Sequence, residues 1–319
     1  MRIVFFGTSA FAAKVLVHLI QHHANIVAVV TRPDRPRGRS LQFSYSPVKE
    51  ALLANSPSIP LFQPEKASHP ESAERIQCYK GELFLVVAYG EIIKKNLLDM
   101  PKYGCINIHA SLLPKYRGAA PIQRCIMNGD TQSGITIIDM VQQMDAGDML
   151  VQEKIPVTEE MTFGQLETLL CDLACSMTVK LLSAIEKGVV TRRLQDTQGV
   201  TMAPKLTPED EKINWQLPAT ILHNQIRALS PYPGAWATLY IGSESKRLKI
   251  KRARVADHSQ QAEPGTVLRA GKENLIIACG VGALQLQEIQ LEGKKSLYVA
   301  EFLKGIHQPL SFLSPRLSQ

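Results

Sequence analysis

Along the first half of the chain, hydrophobic and polar positions switch repeatedly between the period of a strand and that of a helix. Arg2–Phe6 is a short β-rich run. Ala10–Ile20 then places its apolar residues at helical spacing, interrupted by Lys14. Asn25–Thr31 predicts a second strand. Ser46-Pro47 predicts a helix start, with serine as the cap and proline at the first helical position, where no N–H is needed. Leu83–Ala88 is apolar without a break over strand length, as a strand covered on both faces would be. Cys105–His109 and Gly134–Met140 read as further strands with a helix at about Ala120–Met127 between them. Thr162–Lys187 reads as a long helix ended by Gly188. This alternation predicts an α/β fold with a doubly wound, mostly parallel Rossmann-like sheet.

The pattern changes near residue 200. Gln198–Pro208 holds two prolines and a glycine and has no clear period, which suits a linker, set at about residues 189–208. A helix-like segment follows at Pro218–Leu229, then the turn-rich Ser230-Pro231-Tyr232-Pro233-Gly234. Short alternating strands fill most of the remainder: Ala237–Ile241, Arg247–Val255, Gly265–Arg269, Leu275–Ala278 and Leu284–Ile289. They predict a smaller C-terminal OB-like β-barrel domain over 206–319, beside a first domain over 1–205.

Composition narrows the class. The 319 residues are 45% hydrophobic and 20% charged, which excludes a wholly disordered chain. The longest strongly apolar run is Leu83–Ala88, far short of the roughly 20 residues that span a bilayer, so a non-membrane protein is expected. Arg2, an apolar run and Ala10-Phe11-Ala12 mimic an export signal, but Gly7-Thr8-Ser9 breaks the run, and a cytoplasmic protein is expected. Six scattered cysteines form no Cys-x-x-Cys pair and predict neither disulfides nor a metal site. The formal charge is +7, from 36 Lys+Arg against 29 Asp+Glu. Residues 1–205 hold 22 basic and 19 acidic residues, and 206–319 hold 14 and 10, so the shorter part carries more than half the surplus. Lys246, Arg247, Lys249, Lys251, Arg252 and Arg254 crowd into one predicted strand whose buried face holds Leu248 and Ile250. Arg32, Arg35, Arg37 and Arg39 surround a single Asp34 in the first domain.

Three places could carry chemistry. Gly7-Thr8-Ser9 joins the first strand to the first helix but lacks the second and third glycines that let a backbone approach a pyrophosphate, which disfavours a dinucleotide-dependent dehydrogenase. In Cys105–His109, alternate side chains share a face, so Asn107 and His109 point together at the carboxyl end of a strand, where open α/β sheets place their sites. Asp145-Ala146-Gly147 follows the next strand. By spacing alone Asp145 is equally well a site carboxylate or the maker of an Asx-turn.

The run Asn107-Ile108-His109-Ala110-Ser111-Leu112-Leu113-Pro114-Lys115-Tyr116-Arg117-Gly118-Ala119-Ala120-Pro121 resembles the signature of folate-dependent formyltransferases. Gly134-Ile135-Thr136 with Asp145-Ala146-Gly147 is similar to that family's second signature. Val87-Ala88-Tyr89-Gly90 is similar to its pterin-side loop. Pro33–Arg39 and Ala203-Pro204-Lys205-Leu206-Thr207 extend the resemblance over essentially the whole chain. It implies transfer of a formyl group from 10-formyltetrahydrofolate to the amine of methionyl initiator tRNA. Asn107 and His109 would support the oxyanion and Asp145 would handle protons. The backbone of Ser111, Leu112, Leu113 and Pro114, with Tyr89 and Gly90, would line the folate site. Arg37 and Arg39, and in the barrel Lys249, Lys251, Arg252 and Arg254, would contact RNA. No nucleophilic side chain, metal, membrane or second subunit is implied. Two other readings share parts of these residues. A formyltransferase for an amino-sugar nucleotide or other small amine would use the same triad. A nucleic-acid-binding protein with an inert α/β half would have no need of it.

Overall fold

The computed structural model describes residues 1–37, 42–256, 262–271 and 273–313. The chain forms two compact units that are interleaved in sequence. The first comprises 1–121, 132–155 and 167–203; the second comprises 122–131, 156–166 and 204–319.

The first unit is built on a seven-stranded sheet. Strand Ile3–Gly7 lies at its middle, paired in parallel with Ile26–Val30 on one side and Leu83–Val87 on the other. Leu61–Phe62 extends the first side in parallel, and Cys105–His109 extends the second. Gln132–Asp139 joins Cys105–His109 antiparallel, and Met149–Pro156 forms the edge beyond it. The chain thus reverses direction of growth beside the first strand, which opens a crevice at the carboxyl ends of the central strands. Every residue of Leu83–Val87 is buried, as its unbroken apolar run requires. Val4, Phe6, Val30, Phe84 and Val86 build one core layer, and a fully buried side chain of this size contributes about 1.5–3 kcal/mol.

Local signals account for the helices. Ser9 Oγ accepts from Ala12 N at the start of Ala10–Gln21, and Ser46 Oγ accepts from Lys49 N at the start of Pro47–Asn55. Gly7 is needed here because a Cβ would lie 2.7 Å from the Cβ of Ala12. Helix Phe163–Glu186 is long and apolar enough, by length and composition alone, to cross a bilayer, a property that counting unbroken apolar runs misses. Its Leu166, Leu170, Ala174, Met177 and Leu181 are buried, while Gln165, Asp172, Ser176, Lys180 and Ser183 are exposed at helical spacing. An amphipathic core helix has this pattern.

Residues 189–203, which read as linker, are bound into the first unit. Arg193 exchanges backbone hydrogen bonds with Met149, and Met202–Ala203 pairs in parallel with Arg117–Gly118. Strand Met149–Pro156 was not expected, because Gln152, Glu153 and Lys154 interrupt the apolar alternation, as charged residues do on a sheet edge.

The second unit is a nearly closed antiparallel barrel. Its strand order is Val267–Gly271, Asn274–Ala278, Ala283–Leu291, Glu244–Ala256, Ala235–Ile241 and Leu310–Ser311. Leu222 and Ile226 of helix Ala219–Ala228 pack into its core with Leu239, Leu248, Ile250 and Leu284. The buried Arg227 donates to the carbonyls of Thr158, Met161 and Ile126, which fastens both early segments to this helix.

Candidate active site

Strand Cys105–His109 directs Asn107 and His109 to one face, and the turn after Gln132–Asp139 brings Asp145 to both. Asn107 Nδ2 donates to Asp145 Oδ1 at 3.3 Å. His109 Nδ1 lies 3.5 Å from Asp145 Oδ2, and the same oxygen accepts from Gly118 N at 2.8 Å. His109 is buried, and its Nε2 faces the carbonyl of Tyr116 at 2.8 Å. A carbonyl can only accept, so Nε2 carries a proton and Nδ1 is the position that meets the carboxylate. Asp145 therefore does more than close an Asx-turn: its side chain is the meeting point of three groups from two other segments.

Its backbone is unusual as well. Asp145 has φ +50°, in the left-handed region that side chains other than glycine seldom occupy. Two residues on, a Cβ on Gly147 would lie 1.7 Å from the carbonyl oxygen of Asp139, so only glycine fits. The turn is thus pressed against the end of its own strand.

The loop after His109 is braced from below. Thr136, fully buried and paired with His109 across the sheet, donates to Ser111 O at 2.7 Å and accepts from Leu113 N at 3.1 Å. Gln152 Nε2 donates to Leu113 O and to Thr136 Oγ1, each at 2.9 Å. Ser111 Oγ donates to Lys115 O at 2.6 Å. The backbone groups Ser111 O, Leu113 N and Leu113 O are therefore spent on Thr136 and Gln152 of the neighbouring strands, and the half-buried side chains of Leu112 and Pro114 form the loop's more accessible wall. At the carboxyl end of Leu83–Val87, Ala88 and Gly90 are exposed, whereas the Tyr89 side chain is buried edge-on against Phe6 with ring centroids 5.6 Å apart. Thr8 Oγ1 donates to Tyr89 O at 2.8 Å and ties this loop to the one after the first strand. Any contact Tyr89 makes with a ligand thus comes through its backbone.

The basic residues differ from one another. Arg39 lies outside the described residues. For Arg37 only the backbone is described, in a two-stranded hairpin opposite Gln42. In the barrel, strand Glu244–Ala256 changes register between Ile250 and Arg252 and again before Ala253. Strict alternation from Leu248 and Ile250 would turn Arg252 inward; the irregularity buries Ala253 instead and leaves Arg252 and Arg254 exposed. Lys249 Nζ donates to Pro233 O at 2.7 Å and Lys251 Nζ to Pro231 O at 2.5 Å. Burial, and then the neighbouring charge of Lys249, hold Lys251 below the ordinary lysine value. Arg254 Nε donates to Gln285 Oε1 at 2.8 Å.

Residues that sequence reasoning did not assign to the site include Arg117, Thr136, Gln152 and Gln195. Gln195 carried no signal, since it falls in the segment read as linker. Among the described residues, no three or more His, Cys, Asp or Glu gather as a metal site would.

Comparison with known proteins gives two family matches in succession along the chain. The family model described as formyl transferase matches residues 1–182, and that described as formyl transferase, C-terminal domain, matches 205–307. A methionyl-tRNA formyltransferase of Protochlamydia amoebophila is 47% identical over 314 residues, covering 98% of each chain. One of Geobacter sulfurreducens is 42% identical over 305 residues, covering 96% of this chain and 94% of that one. Among solved structures, HypX of Aquifex aeolicus in complex with tetrahydrofolic acid matches with a TM-score of 0.64 at 18% identity. That match covers 96% of this chain but only 48% of HypX. An N-formyltransferase of Helicobacter canadensis, complexed with folinic acid and dTDP-3-aminofucose, gives 0.64 at 18% identity over 89% and 98%. At such identities the solved structures speak for the fold alone.

Proposed function

The chain belongs to the formyl transferase family, and on that premise we propose that it moves the formyl group of 10-formyltetrahydrofolate onto the α-amino group of methionine esterified to initiator tRNA. The observation that carries the reading is the convergence of Asn107, His109 and Gly118 N on the carboxylate of Asp145.

The reaction has three demands. Attack of a neutral amine on the formyl carbon builds a tetrahedral centre with an oxyanion and an ammonium. The oxyanion requires donors already in place. Asn107 has two amide hydrogens; one is aimed at Asp145, and the other serves the oxyanion. The ammonium must then lose a proton, and the folate nitrogen must gain one as its bond to the formyl carbon breaks. Asp145 takes the proton, directly or through water. Position Nδ1 of His109, held against that carboxylate by the Nε2–H bond to Tyr116 O, is where the proton rests before it reaches the leaving nitrogen. The half-buried Leu112 and Pro114 and the exposed residues Ala88 and Gly90 suit a flat ring system with polar edges, and these residues hold the folate. Arg37 and Arg39 in the first unit, and Lys249, Lys251, Arg252 and Arg254 in the barrel, contact the RNA. A reaction on aminoacylated tRNA belongs in the cytoplasm. One copy of the chain holds every residue assigned to the step, so a monomer suffices.

The test is a transfer assay with labelled 10-formyltetrahydrofolate and methionyl-tRNA of both initiator and elongator types. Label on the initiator's methionyl amine is expected. Transfer to a small amine and none to tRNA would overturn the reading.

A further inference from the structure

Gln195 belongs to none of the motifs, yet both ends of its side chain are engaged beside Asp145. Its Nε2 donates to the carbonyls of Asp145 at 2.7 Å and Gly147 at 2.8 Å. Its Oε1 accepts from Arg117 Nε at 3.1 Å and Nη2 at 2.7 Å. Arg117 is buried, its backbone is paired with Met202, and the next residue, Gly118, donates its N–H to Asp145 Oδ2. The bonds close a ring: carboxylate of Asp145, Gly118, Arg117, Gln195, and back to the carbonyl of Asp145.

This ring surrounds the strained turn. With Asp145 in the left-handed region and Gly147 against Asp139 O, the carbonyls of residues 145 and 147 need a donor, and both find it in Gln195 Nε2. An amide is the one neutral side chain that can donate to two carbonyls with one end while accepting a guanidinium with the other. A carboxylate would suit Arg117 but would face two carbonyl oxygens with no hydrogen to offer. A methionine would fill the space and satisfy neither.

We infer that Gln195 and Arg117 are positioning residues: they hold the Asp145 turn so that its carboxylate meets Asn107 and His109. The inference rests on the reading of Asp145 as the proton-handling group. A displacement of about 1 Å at such a group can cost on the order of a hundredfold in rate, which sets the scale.

The experiment measures kcat and KM for formyl transfer by Q195E, Q195M and R117K, with D145N and the double variant D145N/Q195M. Thermal midpoints are recorded for each. Q195E and Q195M should lose roughly 10- to 100-fold in kcat, with KM for both substrates within about threefold. R117K, which keeps one donor for Oε1, should lose less than either. In D145N the Q195M change should cost almost nothing further, because groups acting through one carboxylate do not add. A merely structural role would instead lower the midpoints and leave the kcat of the folded enzyme unchanged. A Q195E or Q195M rate within twofold of wild type would overturn the inference, as would losses that multiply in the double variant. A wild-type rate for D145N would show that the reading of Asp145 had failed, and with it the basis for Gln195.

Discussion

In the first unit, Asp145 is met on one oxygen by Asn107 and on the other by Gly118 N and His109, and its own carbonyl is held by Gln195. In the second unit, Arg252 and Arg254 stand on the outer face of strand Glu244–Ala256, exposed to water. Both regions carry charge on a sheet, but they specify it differently. Around Asp145 the carboxylate oxygens and the carbonyl each have partners whose distance and direction matter, so the loss of one group misplaces the others. On the barrel strand the charges act as a field, and the removal of one leaves its neighbours working. Chemistry at a single carbon needs the first arrangement. Attraction to a long polyanion needs only the second.

Variants that separate chemistry from attraction give the largest expected contrast. Asp145→Asn and His109→Ala should each lower kcat by at least about a hundredfold, the scale of lost proton transfer or oxyanion support, with KM for tRNA nearly unchanged. Steady-state kinetics at several salt concentrations check this, and the loss should be the same at each. A loss relative to wild type that narrowed as salt rose would place these residues on the attraction side of the comparison.

Gly147→Ala tests whether the turn is as tightly built as the overlap with Asp139 O implies. Its effect should be smaller but should appear in two readings together. The backbone must shift, which costs roughly 1–3 kcal/mol in stability, and kcat should fall about tenfold as Asp145 moves. A thermal melt and an activity assay on the same preparation decide it. A lowered melting temperature with full activity would mean the turn tolerates displacement.

On the barrel, Arg252→Gln combined with Arg254→Gln should raise KM for tRNA a few-fold and leave kcat alone. The slope of log affinity against log salt should flatten by about one for each phosphate that the two arginines no longer neutralise. An unchanged slope would remove these two from the RNA surface. The same pair changed to lysine should retain the slope, since a diffuse field asks for charge and not geometry.

What could be read from the sequence follows the same line. The shared face of Asn107 and His109 was legible because side-chain direction on a strand depends only on the parity of neighbours. Leu83–Val87 was legible because a strand covered on both faces needs no polar residue. Gln195 was not, since its partners lie 50 and 78 residues away and nothing local marks it. Gln152 was hidden for the same reason, and Thr136, though inside a quoted signature, showed no role until its bonds to Ser111 and Leu113 were seen. The edge strand Met149–Pro156 carries charge where a period would show, and strand Glu244–Ala256 hides its two register changes until the partner strand is seen. Local periodicity thus recovers the frame of the first unit and the shared face of two of its candidate site residues. The braces that aim those residues come from distant segments and leave no period behind.

The smallest predicted effect concerns an ion pair in the second unit that is precise in geometry yet has no share in the chemistry. Arg124 donates through two nitrogens to the two oxygens of Asp210, each at 2.7 Å, and Asp210 also accepts from Thr207 N at the start of a short helix. The Arg124 hydrogen bond, the largest cause, holds the Asp210 carboxyl below its ordinary value against the opposing effect of burial. A carboxyl lowered in the folded state contributes stability that is present above its unfolded value, about 3.9, and is lost as pH falls through the folded value. Asp210→Asn should therefore lower stability near neutral pH by on the order of 1 kcal/mol, the scale of a well-aligned but partly solvated pair. The difference from wild type should shrink to nothing once pH falls below the carboxylate range, and kcat should not change. Denaturant titrations at pH 7 and at a series of acid pH values running down through the carboxylate range measure both ends of that window. A gap that persisted at the acid end would mean the asparagine disturbs the helix start rather than the ion pair. A change in kcat would show that geometric precision in the barrel unit reaches the chemistry after all.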